Sequence, residues 1–92
     1  MFYIYILKSK KDNNLYIGST NNLKRRFFEH NEGGVYSTKD RRPLVLIYYE
    51  AYKSESDARH REHNLKLRSK ALAQLRKRIV DSLNFNPPSR KS

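Results

Sequence analysis

Apolar residues gather in short blocks along this chain, and the spacing inside each block sets the element it predicts. Phe2-Tyr3-Ile4-Tyr5-Ile6-Leu7 is an unbroken aromatic and β-branched run, which predicts a strand. Lys8–Asn14 is polar and closes on Asp12-Asn13-Asn14, a turn signal. Leu15–Ser19 is a second short strand, so residues 2–19 predict a hairpin. Alternation along the first strand puts Tyr3 and Tyr5 on one face.

The period then changes from two to that of a helix. Thr20, Asn21 and Asn22 offer N-caps. Leu23 and Phe27 share one face at i, i+4, while Arg26 and His30 share another. Gly33-Gly34 ends this helix. Val35–Arg42 reads as a polar loop with three basic residues, Lys39, Arg41 and Arg42. Pro43 can open a third strand, Leu44–Glu50, rich in Val, Ile and Tyr. A second helix starts around Ser54-Glu55-Ser56-Asp57, with Ser54 and Asp57 resembling a capping box, and Ala58, Glu62 and Leu65 along one side. Ser69 can cap a third helix with the apolar stripe Leu72, Leu75, Ile79 and Leu83; alternatively the second helix runs on through Ser69. The tail 84–92, with Pro87-Pro88, reads as a flexible basic end. The predicted fold is therefore α/β of the α+β type, in the order β-β-α-β-α-α. A small three-stranded sheet buries a face against helices in one domain, residues 1–83.

Composition narrows the function. Ninety-two residues build one domain, and with only 37% apolar residues its core is thin. Seven Tyr and four Phe must help fill it. The absence of Cys excludes disulfides, thiolate-bound metals and a cysteine nucleophile. Twenty Lys+Arg against nine Asp+Glu leave a formal charge of +11, which favours a nucleic-acid partner over a merely solubilising surface. Phe2–Leu7 is too short for a signal peptide and follows no basic stretch. No segment approaches the roughly 20 apolar residues of a spanning helix. A cytoplasmic protein without a membrane partner is expected.

The candidate chemistry is sparse. The nine carboxylates form no close cluster, which argues against a two-metal site. One divalent ion held by a single carboxylate, substrate phosphate and water suits Mg²⁺. Glu62, flanked by Arg59, His60, Arg61, His63 and Lys66, is the best candidate. From spacing alone, an ordinary i, i+4 ion pair of Glu62 with Lys66 is the stronger reading. The Arg26 guanidinium can clamp a phosphate with two hydrogen bonds, and the His30 imidazole can carry a proton or bind phosphate. For Arg26 alone, a solvated basic face is the stronger reading. His60 and His63 read as surface histidines, because no His-Glu-x-x-His pattern exists.

In order along the chain, these residues resemble the GIY-YIG nuclease superfamily. Tyr3-Ile4-Tyr5 stands where the first triplet belongs, and Tyr16-Ile17-Gly18 matches the second. Gly18-Ser19-Thr20-Asn21-Asn22-Leu23-Lys24-Arg25-Arg26 is similar to the family's run into its arginine helix, with His30 one turn on. Arg61-Glu62-His63-Asn64-Leu65-Lys66 resembles the segment that supplies the metal-binding glutamate. The match runs from Phe2 to Leu83. It is most similar to small stand-alone bacterial members related to the amino-terminal nuclease domain of the repair excinuclease C subunit.

The resemblance implies a metal-dependent endonuclease that hydrolyses phosphodiester bonds with one Mg²⁺ or Mn²⁺ ion. Tyr5 would activate water as general base, and Tyr16 would orient water or a phosphate oxygen. Arg26 would stabilise the transition state, His30 would assist, and Glu62 would hold the metal. Gly18 would let backbone approach closely, and Lys24 and Arg25 would bind substrate. Two departures stand out. Tyr3 replaces the first motif glycine, where an aromatic can reshape the floor of the site. The family's downstream asparagine has no matching counterpart, since Asn64 is too close to Glu62, and Lys66 or Lys70 would contribute instead.

DNA is favoured over RNA as substrate, with repair or branched structures as the context. The alternative is a nucleic-acid-binding module of the same fold with little or no turnover. The Tyr5, Tyr16, Arg26 and Glu62 set favours the enzyme, because phosphate binding needs no carboxylate. A third reading is an interaction domain aimed by a partner protein, since phosphate contacts alone give little sequence specificity. Oligomeric state is not legible.

Overall fold

A computed structural model describes residues 1–84. The expected tail 84–92 falls, from Phe85 on, outside the described residues. Three strands, β1 (Phe2–Ser9), β2 (Leu15–Thr20) and β3 (Leu44–Tyr52), form an antiparallel sheet in the order β2-β1-β3. The helices are α1 (Leu23–Asn31), α2 (Glu55–Leu67), α3 (Ser69–Arg78) and the short α4 (Val80–Asn84). The α+β class and the order β-β-α-β-α-α are as the sequence predicts, with α4 following.

β1 is central, which explains its unbroken apolar run. A strand covered on both faces has no position to give to solvent. Ile4 and Ile6 point to one side and pack with Ile17, Ala58, Leu65 and Leu75 beneath α2 and α3. Tyr5 and Leu7 point to the other and pack with Leu44, Tyr16, Leu23 and Phe27 beneath α1. The thin core is thus split into two half-cores by one strand.

A register shift in the β1–β3 pairing interrupts this alternation. Leu7 pairs with Leu46 and Ile6 with Tyr48, so Ile47 is the extra residue of a bulge. The bulge turns Glu50 towards α2. There Arg61 donates two hydrogen bonds to it, at 3.0 and 3.1 Å, and the Tyr48 and Tyr52 hydroxyls donate two more.

Capping chemistry sets the helix ends. The Asn22 side chain accepts from the Arg25 N–H and opens α1. At the other end the Gly33 N–H bonds the His30 carbonyl and the Gly34 N–H the Glu29 carbonyl, with Gly33 at φ 83°. This is a Schellman closure, and the positive φ is what the glycine is for. The Asn31 side chain exchanges two hydrogen bonds with the Leu44 backbone, fixing α1 to the start of β3. Ser54 caps α2 by accepting from the Asp57 N–H.

Ser69 does not cap the next helix. The break falls at Arg68, whose extended backbone makes it the N-cap of α3 without a side-chain bond, and Ser69 is the first helical residue. The stripe of Leu72, Leu75 and Ile79 does meet the α2 side of the core. It is interrupted at Ile79, where α3 ends and α4 begins. The loop after α1 is more structured than its polarity suggests. It contains a 3-10 turn at Lys39–Arg41 and buries Val35 and Thr38.

Candidate active site

Tyr5 and Gly18 are direct partners across β1 and β2. Both point to the α1 side, so the Tyr5 ring lies over the Gly18 backbone. A Cβ at position 18 would stand 2.5 Å from the Tyr5 hydroxyl and 2.6 Å from its Cζ. Glycine is required here for close approach, whatever its backbone angles. The neighbouring Tyr16 ring sits 6.4 Å from Tyr5 and 5.0 Å from His30, edge-on to the imidazole.

His30 comes down from α1 between the two tyrosines and is fully buried. Its Nε2 lies 2.8 Å from the Tyr5 hydroxyl, and its Nδ1 lies 2.7 Å from the Thr38 hydroxyl. A neutral imidazole has one donor and one acceptor nitrogen, and each faces a hydroxyl that can play either part. Both nitrogens are satisfied without a proton gained. Burial, with the Arg26 charge nearby, pushes the His30 pKa down to about 4. The sequence allowed His30 to bind phosphate directly. In the structure it is fully buried, and its ring nitrogens face the Tyr5 and Thr38 hydroxyls.

Tyr5 is 1% exposed, and burial raises its pKa to about 12 despite the opposing pull of the nearby Arg26 charge. Tyr16, by contrast, is only half-buried. Arg26 stands one turn before His30 and pairs with Glu29 at 3.1 Å. It also lines a cleft of about 310 Å³ between α1 and α2, together with Arg25, Ser19, Asn21, Arg59 and Glu55.

Glu62 approaches from α2. Ser19 faces α2 because it follows Gly18 on the strand, and its hydroxyl donates to Glu62 Oε1 at 2.7 Å. Lys66 pairs with Oε2 at 2.8 Å. The ion pair expected from spacing is therefore real. It does not exhaust the carboxylate, since two oxygens offer about four acceptor sites and each has one partner here. Hard oxygen donors of this kind fit Mg²⁺ or Mn²⁺. Among the described residues, no group of three His, Cys, Asp or Glu side chains could hold a metal ion.

The fold thus gathers Tyr5, Tyr16, Gly18, Arg26 and His30 under α1, with Arg25 on the cleft wall and Glu62 and Lys66 entering from α2. Lys70 does not join them in any described contact; it is exposed on the first turn of α3. Lys24 lines a second groove on the far side of α1. Ser19 and Thr38 were missed. Ser19 carried one usable signal, its place on the opposite face from Gly18. Thr38 carried none, because a loop residue has no periodicity.

Comparison with known proteins places this arrangement. Residues 1–78 match the GIY-YIG catalytic domain family. A UPF0213 protein of Staphylococcus haemolyticus is 49% identical over 65 residues, covering 70% of this chain and 78% of its own. Another from Clostridium perfringens is 45% identical over 67 residues, covering 72% and 71%. The solution NMR structure of a UPF0213 protein from Bacillus halodurans is similar with a TM-score of 0.58 at 29% identity, covering 99% of this chain and 100% of that one.

Proposed function

The chain belongs to the GIY-YIG family, and from that membership we propose that it is a metal-dependent endonuclease hydrolysing phosphodiester bonds in nucleic acid, DNA before RNA. The family implies a nuclease-type activity and nucleic-acid binding. The observation that carries the finer reading is the approach of Glu62 to Ser19 on the wall of the cleft that Arg26 lines.

The residues divide the work as follows. Glu62 would hold one Mg²⁺ or Mn²⁺ ion, which when bound would supply Lewis-acid stabilisation of the phosphate. We assign water activation to Tyr16 rather than to Tyr5. A phenolate is needed, and Tyr5 is buried, neutral and already bonded to His30. Tyr16 is only half-buried, so of the two tyrosines it is the one that water and substrate reach. Tyr16 takes a proton from the attacking water as the new P–O bond forms. The bond to the leaving oxygen breaks, and that oxygen takes a proton from solvent. Arg26 stabilises the charge that builds on the equatorial oxygens. Tyr5 steers Arg26, and the Thr38–His30 pair holds Tyr5 in place. Lys66, Lys24 and Arg25 bind the phosphate backbone.

Supercoiled, linear, branched and single-stranded DNA, and RNA, would be incubated with wild type and Glu62→Ala in Mg²⁺, Mn²⁺ or EDTA. The proposal expects cleavage that needs metal and is lost in Glu62→Ala with binding intact. Salt-sensitive binding without cleavage of any substrate would favour the binding module of the same fold.

A further inference from the structure

Tyr3, which stands where the family motif has glycine, has no part in the chemistry above. It is half-buried on the α1 face of the sheet and meets Tyr49 edge-on, ring centres 5.9 Å apart. Tyr49 lies on the edge strand β3 and is 51% exposed. With Leu23, Phe27 and Leu46 the two tyrosines line a mainly apolar groove of about 520 Å³, and Lys24 stands at its border.

An apolar groove on a chain of charge +11 has a restricted set of occupants. Asn21 lines both this groove and the cleft that holds Arg25 and Arg26, so the two meet at the start of α1. Of three consecutive basic residues, Lys24 lines the groove, and Arg25 and Arg26 line the cleft. A polyanion drawn into the cleft therefore continues past the N-terminal turn of α1 towards the tyrosines. The part of a nucleic-acid strand that seeks an aromatic, apolar surface is an unstacked base. Aromatic platforms bordered by cations hold such bases with little regard to sequence.

The geometry points to a second subsite, in which Tyr49 and Tyr3 hold an unpaired nucleobase of the same strand whose phosphates lie in the Arg25–Arg26 cleft. The subsite rests on the nuclease reading for its strand. It deepens that reading by naming the substrate class: nucleic acid with a single-stranded segment beside the bond to be cut, such as a flap, a gap or a frayed end. A base-paired duplex keeps its bases stacked and leaves the groove unfilled. Tyr3 then has a reason to replace glycine, because it walls the groove and backs Tyr49.

The test is binding by fluorescence anisotropy in EDTA, which separates recognition from cleavage. Wild type, Tyr49→Ala, Tyr49→Phe and Lys24→Ala would each meet a blunt duplex and the same duplex carrying a single-stranded flap. Stacking of one base predicts at least 5-fold tighter binding of the flap by wild type, in line with about 5- to 150-fold per stacked base. Tyr49→Ala should erase that preference and leave duplex affinity unchanged, while Tyr49→Phe keeps it. Lys24→Ala should weaken both substrates together and flatten the salt dependence. Circular dichroism would show Tyr49→Ala folded. Equal affinity of wild type for the two substrates would overturn the subsite while leaving the nuclease reading intact. Failure of wild type to bind any nucleic acid would overturn both. A concentration-dependent dimer of wild type that Tyr49→Ala makes monomeric would assign the groove to a second copy of the chain instead.

Discussion

Gly18→Ala is the smallest change that tests the packing under the candidate site. The added methyl would stand 2.5 and 2.6 Å from the hydroxyl and Cζ of Tyr5, well inside contact distance. The ring cannot swing clear cheaply, because its hydroxyl is held by a fully buried His30. Either the strands part or the ring moves and breaks that bond. Overpacking of a tight core costs about 1–3 kcal/mol. A disrupted buried hydrogen bond adds about 1 kcal/mol. The substitution should therefore destabilise by about 2–4 kcal/mol, measured by urea unfolding followed by circular dichroism. The attribution is checked in a Tyr5→Leu background, where the ring is gone and the added methyl has room. There the same substitution should cost under about 0.5 kcal/mol, a coupling of the size seen between residues in contact. A loss below about 0.5 kcal/mol in the wild-type background, or an equal loss in both backgrounds, would refute the reasoning.

Other consequences follow from the same geometry. The His30 pKa in the folded chain, about 4, lies below its unfolded value near 6.5, so the unfolded state binds the extra proton between these limits. Stability should fall as pH drops from about 6.5 to about 4, by up to about 3 kcal/mol, and His30→Gln should remove that part of the slope. Burial works against the Glu50 charge, yet the bonds from Arg61, Tyr48 and Tyr52 hold its pKa below the usual carboxylate range. Arg61→Ala leaves that carboxylate short of its main partner and should cost about 1–3 kcal/mol in urea unfolding. Arg26→Lys keeps the charge and loses the fork, so at least a tenfold drop in single-turnover cleavage is expected, with Arg26→Ala lower still.

Much of this was legible in the sequence, for physical reasons that differ by element. Phe2–Leu7 reveals a strand covered on both faces, and a run of that kind has few alternatives. Asn22, Gly33 and Ser54 announced helix ends because their chemistry is local. Arg68 did not, since it opens α3 through backbone geometry alone, and the nearby serine drew the assignment to itself. The bulge at Ile47 has no sequence mark, yet it decides that Glu50 meets Arg61.

At the site, spacing placed Arg26 and His30 one turn apart on α1. It could not say that one faces a cleft while the other is sealed beneath the helix. That depends on how deeply α1 sits on the sheet, which Asn31 and Leu44 help to fix from a distance of thirteen residues. The Ser19–Glu62 contact spans 43 residues and needs the register of β2 against α2. Long-range register is the information that local pattern does not hold.

Single-turnover cleavage as a function of Mn²⁺ concentration, for wild type and Glu62→Gln, tests the central claim most directly. Glutamine keeps the shape and can still accept from Ser19, but it lacks the charge that holds a divalent ion. The account predicts cleavage that saturates with metal in wild type. In Glu62→Gln the half-saturating concentration should rise at least tenfold and the maximal rate should fall at least a hundredfold, with nucleic-acid affinity in EDTA unchanged. Identical metal dependence in the two proteins, or wild-type cleavage that persists in EDTA, would contradict it.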